Sequence, residues 1–252
     1  MLTLWLQALR FYNCNNLQLN GFTSLNRPSK HIGLQSCSNV SVSHLHIRVP
    51  KTSPNTDGIL ISGSSQINIF HSIIGTGDAI KSGSSHINII LVACGPGHGI
   101  SVGSLGIGGG NHIVEEVHVR NCSFIGTTNG ARIKTRKGGY GYKYAKAISF
   151  EHIKIIASKN PIIIDQEYTF GTKDSDVKIS EVTYRDFIGT SANEEAITLD
   201  CASLHCSVIV MDRIRLTPPK TVEKLISFCK KRRRKSHLYF ASGVLPIQRV
   251  TC

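Results

Sequence analysis

The stretch "QINIFHSIIGTGDAIKSGSSHINIILVAC", residues 66–94, writes one phrase twice. Gln66-Ile67-Asn68-Ile69 returns as His86-Ile87-Asn88-Ile89, 20 residues later. Alternation of isoleucine with polar residues has the period of a strand, because successive side chains leave a strand on opposite faces. β-Branched residues also suit that pleated surface. Outward from this pair the phrase recurs, starting at Leu17, Val40, Val117, Ile148, Val177 and Val208. With Ile67 and Ile87 included, successive starts lie 23, 27, 20, 30, 31, 29 and 31 residues apart. A repeat of that length built from short strands predicts a solenoid. No single turn can bury its own apolar face, so the turns must stack. The alternative is a β-sandwich or barrel, whose strands recur every roughly 8–12 residues with hairpin dipeptides between them. Such dipeptides are scarce here, and the pattern favours an all-β, right-handed parallel β-helix.

Composition sets the outer limits. The chain has 252 residues, 40% of them apolar, with 23 glycines and 8 prolines. That suffices for one large folded domain and argues against a low-complexity chain. No run of apolar residues is long enough to span a membrane as a helix. The formal charge is +13, but residues 219–252 hold nine Lys or Arg against one Glu. Residues 1–218 hold twenty against fifteen. The body is modestly basic, which suits an acidic polymer as ligand, and an ordinary basic protein equally. "KKRRRK", residues 230–235, reads as a solvated tail; a phosphate-binding or nuclear-address role lacks any accompanying aromatic platform or recognition helix. We therefore read 1–218 as the β-helix and 219–252 as a basic, disordered tail. The eight cysteines show no zinc spacing, and Cys201 and Cys206 are close enough to form a small disulfide loop. The sequons at Asn39 and Asn121 agree weakly with an oxidising compartment. The first residues, "MLTLWLQALRFYNCNN", lack the basic start of a signal peptide.

Four polar groups interrupt the strand pattern: Asp57 in "NTDG", Asp78 in "GTGD", His98 in "GPGHG", and Arg132 with Lys134 in "RIK". Asp57 to Asp78 is 21 residues and Asp78 to His98 is 20, each about one turn. Adjacent strands stack about 4.8 Å apart, so the spacing predicts a column of Asp57, Asp78 and His98 on one face. Arg132 and Lys134 alternate around Ile133, which sends both outward and the isoleucine inward. Taken singly, Asp57 and the Gly97-His98-Gly99 segment read as turns, and Arg-Ile-Lys as a solvated strand face. Taken together, two carboxylates and a histidine facing a cationic pair suit acid/base cleavage of an anionic polymer. One acid would protonate the leaving oxygen and one carboxylate would activate water. The cations would hold substrate carboxylates.

At these residues the chain resembles the plant polygalacturonases, pectin-degrading glycoside hydrolases of family 28. The resemblance covers roughly residues 8–218 and is carried by "SPNTDGI", "GTGD", "CGPGHGISVGSLG", "GTTNGARIKT", "NPIIIDQEY" and "EEAITLDC". It implies a pectin-lyase-like right-handed parallel β-helix that is N-terminally truncated, since family members carry further turns before "ALRFYNCNN". It implies inverting hydrolysis of α-1,4 bonds between galacturonates, with no cofactor or metal. The implied partner is an acidic polysaccharide, polygalacturonate or pectin, at a secreted cell-wall location. Neither membrane nor nucleic acid is expected, and the protein is expected to be a monomer. By the same resemblance Asp57 helps activate water, Asp78 matches the general acid through its flanking "GTG", and His98 supports the protonation of that acid; a different placement of the gap would make Asp78 the second aspartate of the motif. Arg132, Lys134 and Tyr168 bind substrate.

One departure lies inside the opening stretch. The usual family form is "GDDCIAIKSGSS", and this chain reads "GDAIKSGSS". Three residues are absent, an aspartate and a cysteine among them, which shortens the turn between Ile67 and Ile87. The missing cysteine would pair with Cys94, which is expected to be free here. Two functions stay open: a polygalacturonase with retained or impaired cleavage, and a catalytically inactive pectin-binding member of the family.

Overall fold

The computed structural model describes residues 7–26, 29–50, 53, 56–108, 110–136, 141–166, 176–202, 206–219, 224–231, 234–240 and 250–251. Every regular element among them is a strand. The chain winds as a right-handed parallel β-helix. One face stacks Gln7–Tyr12, Lys30–Gln35, Asp57–Ser62, Gly77–Ile80, Gly99–Leu105, Asn129–Thr135, Asn160–Asp165, Glu195–Asp200 and Leu225–Lys231. A second face stacks the phrase-bearing strands, including Ser65–Gly75 and Ser84–Cys94. The two copies in the opening stretch lie in register, Ile67 beside Ile87 and Ile69 beside Ile89. Between them Asn88 donates to Asn68 on the outer surface at 3.1 Å.

Several long strands bend and continue onto a third face. Ser65–Gly75 pairs with Ser38–Ser43 through its first half and with His46–Arg48 through its last residues. The bend falls at His71, whose φ is 48°. Corresponding corners on other turns are His44, Leu91, Asn121, His152, Asp186 and Arg213, all with positive φ. Left-handed backbone at a fixed point of each turn lets an otherwise extended chain close on itself.

Inside, side chains stack in rows one turn apart. On the first face one row reads Leu34, Ile61, Ile80, Val102, Ile133, Ile164 and Leu199. Each of these is at most 1% exposed. Such burial stabilises by roughly 1.5–3 kcal/mol per side chain, and it is available only when turns stack. The neighbouring row reads Ile32, Ile59, Asp78, Ile100, Ala131, Ile162 and Ile197, with one acid among apolar groups and Ile59 joined to Asp78 by a hydrogen bond across a shift in register.

Two expectations are corrected. Ile148 lies in register with Val182, and Val182 with Ile209, so Val177 and Val208 are not the equivalent starts. Val208 occupies a left-handed corner, φ 54° and 61% exposed, where its β-branched side chain mimics the start of a strand. The expected disorder of 219–252 does not hold for its described strands. Leu225–Lys231 runs parallel beside Glu195–Asp200, and Arg234–Phe240 pairs with it antiparallel. Leu225 and Ser227 are buried there, a short alternation masked by the adjacent charge run. Cys201 and Cys206 do form a disulfide, Cα atoms 5.8 Å apart. Cys94 is a free, buried thiol, as expected.

Candidate active site

On the first face a cleft of about 290 Å³ is lined by Asp57, Asp78, His98, Arg132 and Lys134, together with Lys81. All the predicted site residues but one therefore meet at one place. Tyr168 lies outside the described residues. The order of strands explains the meeting. Asp57 opens Asp57–Ser62, Asp78 sits in Gly77–Ile80, and Arg132 and Lys134 project from Asn129–Thr135 around the buried Ile133. His98 immediately precedes Gly99–Leu105.

Two glycines hold His98 in position. Gly99 has φ 73°, and a Cβ there would stand 2.0 Å from the Asn129 carbonyl oxygen. A Cβ on Gly77 would stand 2.7 Å from the Cβ of His98. Only glycine at both points lets successive turns approach closely enough to place the imidazole over Gly77.

The three-membered column predicted from spacing is corrected at Asp78. Asp57 is partly exposed in the cleft, whereas Asp78 is 2% exposed and belongs to the inward row. Its strand partner is Ile100, while Ala79 pairs with Ser101 and so with Arg132 on the outward side. The register against Asp57–Ser62 shifts at this point: Asp57 pairs with Gly77, yet Leu60 pairs with Ala79. That irregularity turns Asp78 toward the interior. Its Oδ1 accepts a hydrogen bond from the Ile59 N–H at 2.8 Å, and Oδ2 is buried with no hydrogen-bond partner in the structure. Burial raises the thiols of Cys94 and Cys122, and Asp78 lies close enough for its charge to raise both further. Asp78 thus forms the floor of the cleft rather than its wall.

Burial dominates the electrostatics. It pushes the Asp78 carboxyl up to about 7, with the Ile59 N–H opposing and the Asp57 charge adding. Asp78 therefore carries a proton at mildly acidic pH. Asp57 is also raised by burial, but Lys81, Lys30, Lys134 and His98 all pull it back down. Lys134 falls to about 7, through burial first and then repulsion from Arg132 and Lys81. Lys81 is lowered by burial, then by Lys30, Arg132 and Arg136 despite the attraction of Asp57. His98 is lowered by burial and by Arg132, which favours the neutral imidazole. Arg132 donates from Nε to the Ser101 hydroxyl at 3.0 Å, which fixes its guanidinium against the cleft wall. Positive charges crowded this closely repel one another, and a bound carboxylate relieves that repulsion. Among the described residues no group of three His, Cys, Asp or Glu side chains is placed to hold a metal.

The description "Glycosyl hydrolases family 28" matches residues 6–234 of the sequence. The chain belongs to this family. A probable polygalacturonase of Arabidopsis thaliana is 46% identical over 220 residues, covering 83% of this chain and 48% of the relative. Polygalacturonase-2 of Solanum lycopersicum is 43% identical over 218 residues, covering 83% and 47%. The chain spans about half the length of these relatives. Among solved structures, an endo-xylogalacturonan hydrolase from Aspergillus tubingensis superposes with a TM-score of 0.76 at 24% identity, covering 84% of this chain and 62% of that one. A polygalacturonase from Erwinia carotovora superposes with a TM-score of 0.58 at 25% identity, covering 83% and 52%.

Within this family 28 fold, Lys81, Ser101 and Asn129 join the cleft without having been singled out in the sequence. A signal for Lys81 existed. "AIK", residues 79–81, repeats the outward–inward–outward pattern of "RIK", residues 132–134, and the two segments stack in register through Ser101 and Val102.

Proposed function

We propose that the cleft binds polygalacturonate, the acidic polymer of pectin, and hydrolyses its α-1,4-galacturonosyl bonds with inversion, at a reduced rate. The observation that carries this reading is one cleft holding a partly exposed carboxylate, a buried carboxyl and an imidazole against Lys81, Arg132 and Lys134. Arg132, Lys134 and Lys81 hold the uronate carboxylates. Asp57 takes a proton from water as its oxygen attacks the anomeric carbon. Asp78 donates its proton to the glycosidic oxygen as that bond breaks, and attack opposite the leaving group inverts the centre. His98 keeps the surroundings of this exchange polar without adding a further charge. The reduced rate follows from the three absent residues. They remove a second water-activating carboxylate and leave Asp78 turned inward. By resemblance the protein works outside the cell, at the cell wall, and the reading requires no cofactor, membrane, nucleic acid or second copy.

A second reading is pectin binding without cleavage. It is favoured by the anchoring of Asp78 Oδ1 on the Ile59 N–H and by its place in an apolar row. Release of reducing ends from polygalacturonate separates the two. The first reading expects slow release that Asp57→Asn abolishes. Affinity for oligogalacturonate with no release in either protein would replace it with the second.

A further inference from the structure

A second cleft, of about 490 Å³, adjoins the first and shares His98 and Thr128 with it. Its walls come from successive turns, including Pro50, Thr76, Pro96, Gly126, Ala157 and Ala192. Backbone hydrogen bonds join these turns in order: Gly95 to Ile74, Thr128 to Gly97, Gly126 to Ile156 and Ala192 to Ser158. With the pairing of Arg48 and Gly75 that joins the first two turns, there are five steps, which make a trough about 24 Å long, parallel to the helix axis. It is long enough to take polymer that leaves the first cleft past His98.

The two clefts differ in chemistry. The first presents Lys81, Arg132 and Lys134. The second is walled by proline, alanine, glycine, valine, serine and threonine, with His98 where it meets the first cleft, and among its described lining residues the exposed Lys159 is the one lysine or arginine. A uronate carboxylate settling there, away from the exposed Lys159, loses water without gaining a paired charge. A methyl ester carries no charge to desolvate, and its methyl group covers apolar wall. We propose that the ligand is a partly methyl-esterified galacturonan, with a free uronate held in the cationic cleft and esterified residues lying in the cation-poor trough beyond His98. This inference rests on the pectin reading above and specifies which pectin the same site takes.

The test is calorimetric titration of the full chain with galacturonate oligomers of matched length, one unesterified and one about half methyl-esterified. The expected result is tighter binding of the esterified oligomer, on the order of fivefold. Ala192→Arg, which adds a cation to the trough wall away from the cationic cleft, is expected to close or reverse that gap. Equal or tighter binding of the unesterified oligomer by the unaltered chain overturns the inference and leaves the pectin reading standing. Failure of both oligomers to bind overturns the pectin reading and the inference with it.

Discussion

Two inward rows run side by side on the first face, and they differ at one position. The row from Leu34 through Ile80 to Leu199 is apolar throughout. The row from Ile32 to Ile197 carries Asp78 between Ile59 and Ile100. Both rows obey the same stacking rule, so the difference is one of register. Ala79, Ile80 and Lys81 keep the outward–inward–outward order of Arg132, Ile133 and Lys134. The residue before Ala79 must then face inward, whatever its chemistry. In the family form that place, before "AIK", belongs to an isoleucine; here it falls to the aspartate. The deletion that the resemblance implies would therefore reorient a side chain as well as shorten a turn.

The contrast can be broken at either row. The largest effect on stability is expected at the intact one: Ile80→Ala should cost about 2–5 kcal/mol in urea unfolding through the cavity it leaves. Asp78→Val should instead stabilise, by on the order of 1–3 kcal/mol at pH 8, because it replaces a desolvated carboxylate with an apolar group. A loss of stability in that variant would show that the Asp78 position is not part of the apolar row. The sign of the pH dependence sharpens the point. The folded-state value of Asp78, about 7, lies above its ordinary value of 3.8. The folded chain then holds a proton that the unfolded chain releases between these values, so stability should fall as pH rises from about 4 to 7. Asp78→Asn should remove most of that slope, leaving the share of Asp57, which burial shifts in the same direction, against that of His98, whose lowered value acts in the opposite sense. The smallest effect concerns binding: Lys81→Ala should weaken affinity for oligogalacturonate roughly three- to tenfold, with urea stability little changed. Unaltered affinity would exclude Lys81 from substrate contact.

Much of this was legible in the residues. Isoleucine alternation and the 20-residue step from Ile67 to Ile87 specified the stacked strands, because only stacking buries such a pattern. The outward pair Arg132 and Lys134 followed from the same alternation around Ile133. The orientation of Asp78 did not follow, because spacing along the chain counts residues and not the register shift between Asp57 and Leu60. Val208 misled because a corner residue can be β-branched when its neighbours hold the left-handed backbone in place. The strand at Leu225–Lys231 was hidden by composition, since its charged end outweighed a two-residue alternation.

The central proposal is that family 28 chemistry persists here in a cleft whose acid faces the core. The most direct measurement is release of reducing ends from polygalacturonate by the unaltered chain and by a variant with Asp-Cys-Ile inserted after Asp78, both checked for folding by circular dichroism. The inserted isoleucine should take the inward place and the inserted aspartate should restore the second water-activating carboxylate. The account predicts a rise in kcat/KM of about 10²–10⁴-fold. A folded insertion variant no faster than the unaltered chain would contradict it.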